Sequence, residues 1–252
     1  MKVLLGLSGG VDSSVAAFLL KQEGFEVTAG FMRNWEDDDG SPYCSVKEDF
    51  MDAAQVADKL SINLVQMNFA QKYKEKVFSY FLNELNKGKT PNPDIYCNKY
   101  IKFKEFTDYA LENGYDAVAT GHYSKIQVIN KEYFLCKSYD QSKDQTYFLS
   151  QVDRDIFSKI KFPLGNLLKT EVRKIAEKEN LITFDKKDST GICFIGERPF
   201  PEFLKNYLPE EHGEIVDDSG EVIGSHKGLH FYTIGQRPVS YTHLTLPTTP
   251  VV

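Results

Sequence analysis

The stretch SGGVDSS, residues 8–14, stands between the apolar runs KVLLGL and SVAAFLL. Ser8, Gly9, Gly10, Asp12, Ser13 and Ser14 bring more glycine and more side-chain oxygen than a plain turn requires. Two roles fit these residues. Asp12 or Ser13 can cap the helix that follows, with Gly24 as its stop. The other role is anion binding. Glycines let backbone N–H groups approach a phosphate that also feels the positive end of the helix, and the serine hydroxyls add donors. No lysine follows the glycines, so a Walker A loop is excluded and any phosphate is held here without it.

The second set of reactive side chains carries sulfur. Cys97 lies in PNPDIYCNKYIKFK, residues 91–104, with Lys99, Lys102 and Lys104 close in sequence. A predicted helix N-terminus and lysines both favour the thiolate, whereas the plain alternative is a small buried hydrophobe beside a solvated basic face. Cys193, in DSTGICFIGE, is a second thiol for which inert burial is the simpler reading. Cys44 and Cys136 suggest nothing beyond packing. The cysteines lack the close pairing of a zinc site, so no structural metal is expected. His122 in ATGHY and Asp144 in KDQTYFL each have an ordinary role as well, as a strand-end histidine and a helix cap.

These residues need a frame that brings them together. KVLLGL, EVTAGFM (26–32), INLVQMNF and DAVATGHY read as buried strands. SVAAFLLKQEG, SVKEDFMDAAQVADKL, KYKEKVFSYFLNELNKG and KYIKFKEFTDYALENG have helical spacing, and TPNPDIYCN reads as a Pro-rich loop. The alternation predicts an α/β doubly wound parallel sheet, with ligands at the carboxyl ends of the strands. The loops at 8–14, after 32 and at 120–123 all follow such ends. KIQVINKEYFLCKSY reads as a hairpin around Asn130, and SKDQTYFLSQV and KTEVRKIAEKENL as further helices. From about residue 207, glycine and short β-like runs signal a small β-rich domain, with DDSG as a turn. We therefore expect a domain over 1–206, a partial β-rich domain over 207–238, and a Thr/Pro-rich end, 239–252, that reads as foreign or frame-shifted.

The 252 residues are enough for a substantial core, and 41% hydrophobic with 26% charged residues is ordinary for a globular protein. A net charge of −6 argues against general nucleic-acid binding, so any RNA contact must use a local basic patch. No apolar run reaches membrane-spanning length and the first residues enter a core strand, which points to a cytoplasmic protein with reduced cysteines and no membrane partner.

Taken in order, SGGVDSS, NPDIYCNKYIKF, ATGHY, KDQTYFL, GICFIGE and YTIGQR resemble the tRNA-specific 2-thiouridylases, a family of N-type ATP pyrophosphatases with an adenine nucleotide α-hydrolase-like fold. The resemblance runs from Met1 to about Pro238. SGGVDSS marks only the superfamily; NPDIYCN with a downstream GICFIGE is far more specific. The resemblance implies ATP-dependent transfer of sulfur to C2 of the wobble uridine in tRNA. ATP would contact Gly6, Leu7, Ser8, Gly9, Gly10, Val11, Asp12, Ser13, Met32 and Gly121. Asn92, Pro93 and Asp94 would meet the target base, and His122, Lys143, Asp144 and Gln145 the tRNA. Cys97 matches the nucleophile and Cys193 the persulfide carrier loaded by a donor protein.

That chemistry uses two thiols and ATP. Transfer of AMP to the uridine O2 makes it a leaving group and releases pyrophosphate, with Mg²⁺ carried mainly by the nucleotide. Sulfane sulfur on Cys193 then reaches C2 directly, or Cys97 attacks the persulfide, freeing sulfide and leaving a Cys97–Cys193 disulfide for a reductant to reopen. Asp94 would exchange protons as the adduct forms and collapses. The C-terminal β-barrel of the family does not follow YTIGQR, so Lys99, Lys102, Lys104, Lys169 and Lys174 would carry most phosphate contacts. Two other functions remain: an adenylating ligase or amidating enzyme that needs neither thiol, and a non-catalytic remnant that binds ATP or RNA.

Overall fold

The computed structural model describes residues 1–36, 46–188 and 200–232. Cys44, Cys193, the GICFIGE motif and the stretch 239–252 lie outside the described residues. The chain divides into two units, Met1–Val77 with Pro93–Glu197, and Phe78–Asn92 with Arg198–Val252.

The first unit is built on five parallel strands: β1 (Lys2–Gly6), β2 (Glu26–Arg33), β3 (Asn63–Asn68), β4 (Ala117–Ala119) and, after the hairpin β5 (Ser124–Ile129) and β6 (Glu132–Lys137), β7 (Ile160–Lys161). Their order is β3-β2-β1-β4-β7. Val3, Leu5 and Leu7 face one side, where α1 (Val11–Gln22), α2 (Val46–Lys59) and α7 (Lys169–Lys178) bring Val15, Leu20, Val56 and Val172 into one buried cluster. Leu4 faces the other side with Met67 and Phe106 of α6 (Phe106–Glu112), which close over Gly30. Helices thus cover both faces, and this is an adenine nucleotide α-hydrolase-like, doubly wound α/β fold. β1, buried on both faces, is accordingly almost wholly apolar.

Several elements differ from the sequence reading. NPDIYCN is not loop throughout: the helix starts at Pro93 as α5 (Pro93–Tyr96), becomes a π-helical segment over Cys97–Glu105 and continues into α6. Proline suits a first helical turn because the N–H it lacks has no intrahelical partner there. The preceding amphipathic helix likewise begins early, as α3 (Ala70–Tyr73), passes through a π-helical segment, Lys74–Phe78, and ends as α4 (Ser79–Asn86). Asn68 Oδ1 accepts from Ala70 N at its start (2.9 Å). SKDQTYFLSQV forms only a 3₁₀ turn over Thr146–Leu149. The hairpin reverses at Asn130 and Lys131, both with positive φ (51° and 67°), as a two-residue turn with matching twist requires.

In the second unit, α4, α8 (Phe200–Leu204) and the antiparallel pair β8 (Gly213–Val216) and β9 (Val222–His226) supply the regular structure. Phe78 packs edge-on to Phe203 and Tyr207, with centroids 6.0 and 4.8 Å away. DDSG is the turn between β8 and β9, where Asp217 Oδ1 accepts from the Ser219 N–H.

Candidate active site

From β1 the sheet grows outward through β2 and β3, then restarts on the other side with β4. The carboxyl ends of β1 and β4 therefore flank a topological switch point, where open α/β sheets leave a crevice for ligands. Leu5 lies in register with Ala119, so the loop after Gly6 and the bend at Thr120–Tyr123 are neighbours. Their contact is tight. A Cβ on Gly121 would sit 2.8 Å from Ser13 N and 2.9 Å from Asp12 C, too close for any side chain. Gly9 has φ +76°, the left-handed region that favours glycine, and a Cβ there would run into the Asp49 carbonyl. Half-buried Met32, at the end of β2, packs over Gly6.

Neither Asp12 nor Ser13 caps α1, in contrast to the sequence expectation. Gly10 is the N-cap, in extended conformation and without a side-chain cap. The hydroxyls of Ser13 and Ser14 instead donate back to Gly10 O (3.0 and 2.8 Å), and Ser8 N donates to Ser13 Oγ (3.2 Å). Ser14 Oγ accepts from Thr183 (3.0 Å). These bonds fix the loop before any ligand arrives, a preorganisation suited to anion binding by backbone N–H groups.

Asp12 is released from capping and enters a charged chain that crosses the unit. Lys169 Nζ lies 2.7 Å from both Asp12 oxygens and 2.8 Å from Asp188 Oδ1. Asp188 also meets Lys143 (3.0 Å) and Arg173 (2.8 Å). Burial alone would raise the Asp188 carboxyl, but Lys169 and Lys143 reverse this and hold it at about 2. Tyr123 donates its hydroxyl to Asp12 Oδ1 (2.9 Å); burial and then the Asp12 charge push that phenol far up, so it stays protonated. A second tie runs from Lys186 Nζ to Gly9 O (3.0 Å), Asp49 (2.8 Å) and Asp52 (2.5 Å). Lys169, expected among the lysines that carry tRNA phosphate contacts, is instead buried as a partner of the loop.

Cys97 is fully buried at the fifth residue of its helix, not at the N-terminus. The helix macrodipole fades within the first turn, so the expected dipole activation is weak at this position. Pro93 is buried and Asp94 half-buried at the start of that helix, while Asn92 is exposed and ends the 78–92 segment. Asn98 Nδ2 donates to Phe148 O (3.2 Å) and Lys99 reaches Gln151 (3.5 Å), so the helix is braced against residues 146–151. Burial and then the Asp94 charge raise the Tyr147 phenol.

The remaining candidates converge on the same strand end. Gln145 pairs with the Tyr123 backbone in both directions, each at 2.9 Å. Asp144 accepts from Ser138 N and Thr146 Oγ1, both at 2.8 Å, rather than capping a helix. His122 lies between Phe103 and Phe162, with Nδ1 2.7 Å from Thr120 Oγ1. Burial, then Lys102, lowers its pKa well below the ordinary value, leaving the imidazole neutral. Sequence reasoning missed Tyr123, Asp188 and Lys186, which stood in or next to quoted motifs; nothing local names the partners of Tyr123 and Lys186, more than 100 residues away, or gathers the three cations around Asp188. Among the described residues no cluster of three or more His, Cys, Asp or Glu side chains is arranged to hold a metal, and no helix is long and apolar enough to cross a membrane.

Fold and loop together define an α/β protein with a preformed glycine-serine loop at its switch point. Residues 1–197 match the family described as tRNA methyl transferase HUP domain, and residues 201–239 match its PRC-barrel domain. The chain belongs to this family. It is 56% identical over 236 residues to "tRNA-specific 2-thiouridylase MnmA" of Methylobacillus flagellatus, covering 94% of this chain and 66% of that protein. The protein of the same name in Nitrosomonas eutropha is also 56% identical, with 94% and 65% covered. The chain therefore spans just under two thirds of the length of these curated relatives. Among solved structures, an NMN synthetase from Francisella tularensis aligns with TM-score 0.45 and 20% identity, over 74% of this chain and 66% of that one.

Proposed function

We propose that the chain carries the catalytic part of a tRNA-specific 2-thiouridylase, which adenylates the wobble uridine with ATP and exchanges its O2 for sulfur. The observation that carries this reading is the joining, in one unit, of the preformed loop at 6–13 with the Pro93–Cys97 helix, in a chain 56% identical to relatives of that name. The backbone N–H groups of the loop over 9–13 receive the phosphates, and Met32 and Gly121 line the nucleotide. Asn92, Pro93 and Asp94 meet the target base, with His122, Lys143, Asp144 and Gln145 beside them; their internal bonds make Asp144 and Gln145 positioning residues. Mg²⁺ bound with ATP would neutralise phosphate charge.

In the sulfur step, a donor protein loads Cys193 with sulfane sulfur. The terminal sulfur attacks C2 and AMP departs with the former O2. Attack of the Cys97 thiolate on Cys193 Sγ then breaks the S–S bond, leaves sulfur on the base and forms a Cys97–Cys193 disulfide, reopened by a thiol reductant. In this reading the first unit, Met1–Val77 with Pro93–Glu197, is the catalytic domain, the β-rich part belongs to the second unit, and the protein is cytoplasmic. The test is mass spectrometry of tRNA nucleosides after incubation with ATP, Mg²⁺ and a persulfide donor. A sulfur-for-oxygen exchange at the wobble uridine supports the proposal; a methyl addition or an unchanged nucleoside overturns it.

A further inference from the structure

The chain is acidic overall, yet one helical face of the first unit is basic and aromatic. There the π-helical segment Cys97–Glu105 packs against α3 and the π-helical residues that follow it. Lys72 and Lys76 share the single carboxylate of Glu105, the latter at 2.9 Å. Burial would raise that carboxyl, but the two ammonium groups lower it, so it stays ionised and one positive charge remains in excess. Lys99 Nζ stands 5.0 Å from the centroid of the Tyr100 ring and Lys76 Nζ 6.0 Å from it. The Tyr96 ring lies 5.6 Å from Tyr100 and tilted against it. Tyr96 and Tyr100 are both half-buried.

Cation–π pairs on a helix surface contribute only about 0.5–1 kcal/mol each, which does not by itself call for such clustering. π-helical segments are uncommon and concentrate at functional sites, and here one carries both Tyr100 and Lys99. Aromatic faces interleaved with ammonium groups match a single-stranded polynucleotide, whose bases stack while its phosphates pair with the cations. We propose that Tyr96 and Tyr100, with Lys76 and Lys99, form a platform for single-stranded RNA. It seats a nucleotide next to the base presented at Asp94, one helical turn earlier. This rests on the reading that the chain acts on tRNA, and through Tyr96, Tyr100 and Lys76 it extends the contact surface beyond the residues assigned above.

The test uses the 252-residue chain and an unmodified transcript of a tRNA with uridine at the wobble position, with binding isotherms over a salt series. Tyr100→Leu keeps an apolar side chain but removes the stacking face, and should weaken binding roughly 5- to 100-fold with the salt slope unchanged. Lys76→Gln combined with Lys99→Gln should weaken binding and lower the slope of log K against log salt by roughly 1.4, the value for two single-strand phosphate contacts. Should Tyr100→Leu fail to fold by circular dichroism, the lysine pair decides. Parental affinity and slope in the lysine variant, or no RNA binding by the parent, overturns the platform. Formation of 2-thiouridine is scored separately. A parent that makes it while the variants bind normally refutes the platform alone. A parent that binds RNA through these residues but makes none refutes the activity and leaves the platform standing.

Discussion

Replacing Asp188 with asparagine removes one charge from the centre of the Lys169–Lys143–Arg173 cluster while keeping the shape of the side chain. The carboxyl falls from its ordinary 3.8 to about 2 in the folded protein. At 1.36 kcal/mol per pKa unit, that drop corresponds to about 2.4 kcal/mol of stabilisation. The side chain is 33% exposed, so solvent screening reduces the expected effect to roughly 1–1.5 kcal/mol. The sign follows from the folded-state pKa lying below the unfolded one. The contribution is fully present above about pH 5 and is lost as pH falls through 4 towards 2. Urea unfolding followed by fluorescence of Trp35 reads the correct unit, because this lone tryptophan is buried beside Tyr73. The parent should be more stable than Asp188→Asn at pH 7, and roughly two thirds of that difference should be gone at pH 2.5. A difference that stays constant across this range, or none at pH 7, would refute the assignment of the low pKa to these ion pairs.

Gly121→Ala should displace the first turn of α1, because the new Cβ meets backbone at 2.8 Å; overpacking of this kind costs about 1–3 kcal/mol. ATP binding measured by calorimetry should weaken with it, and parental affinity would show that the crevice does not use this contact. Asp12→Ala leaves the Lys169 ammonium, only 10% exposed, with Asp188 alone. It should destabilise the first unit by roughly 1–3 kcal/mol and remove ATP-dependent pyrophosphate release, and full release would separate Asp12 from the nucleotide site. Cys193→Ser should no longer accept persulfide from a donor, whereas Cys97→Ser should load Cys193 yet make no 2-thiouridine. Parental thiolation by both variants would end the two-thiol scheme.

How much of this protein was legible in the chain depended on the range over which each feature is decided. Buried strands announced themselves as short apolar runs, and the glycine-serine loop as an excess of flexible and hydroxyl residues at a strand end. Both are local properties. Pro93 shows where local reading fails: a proline-rich stretch suggested loop, but a proline in the first helical turn costs nothing, and the helix starts there. Cys97 was expected near a helix terminus and instead lies buried one turn in, because the true start came earlier than the periodicity indicated.

The sequence by itself determined the α/β class, the loop, the two thiols and the candidate ATP and tRNA residues. The tertiary structure alone decided their electrostatics. Asp12 and Lys169 are 157 residues apart, and Lys186 reaches Gly9 across 177. Such pairs exist only because β4 returns beside β1 on the side opposite β2, which sets the loop after β4 and the start of α7 against the first turn of α1. An ion pair needs two charges within a few ångströms, and no local pattern encodes which distant charge will arrive. The strand order supplies that distance, so the partner of Asp12 could be named only after the sheet had been assembled.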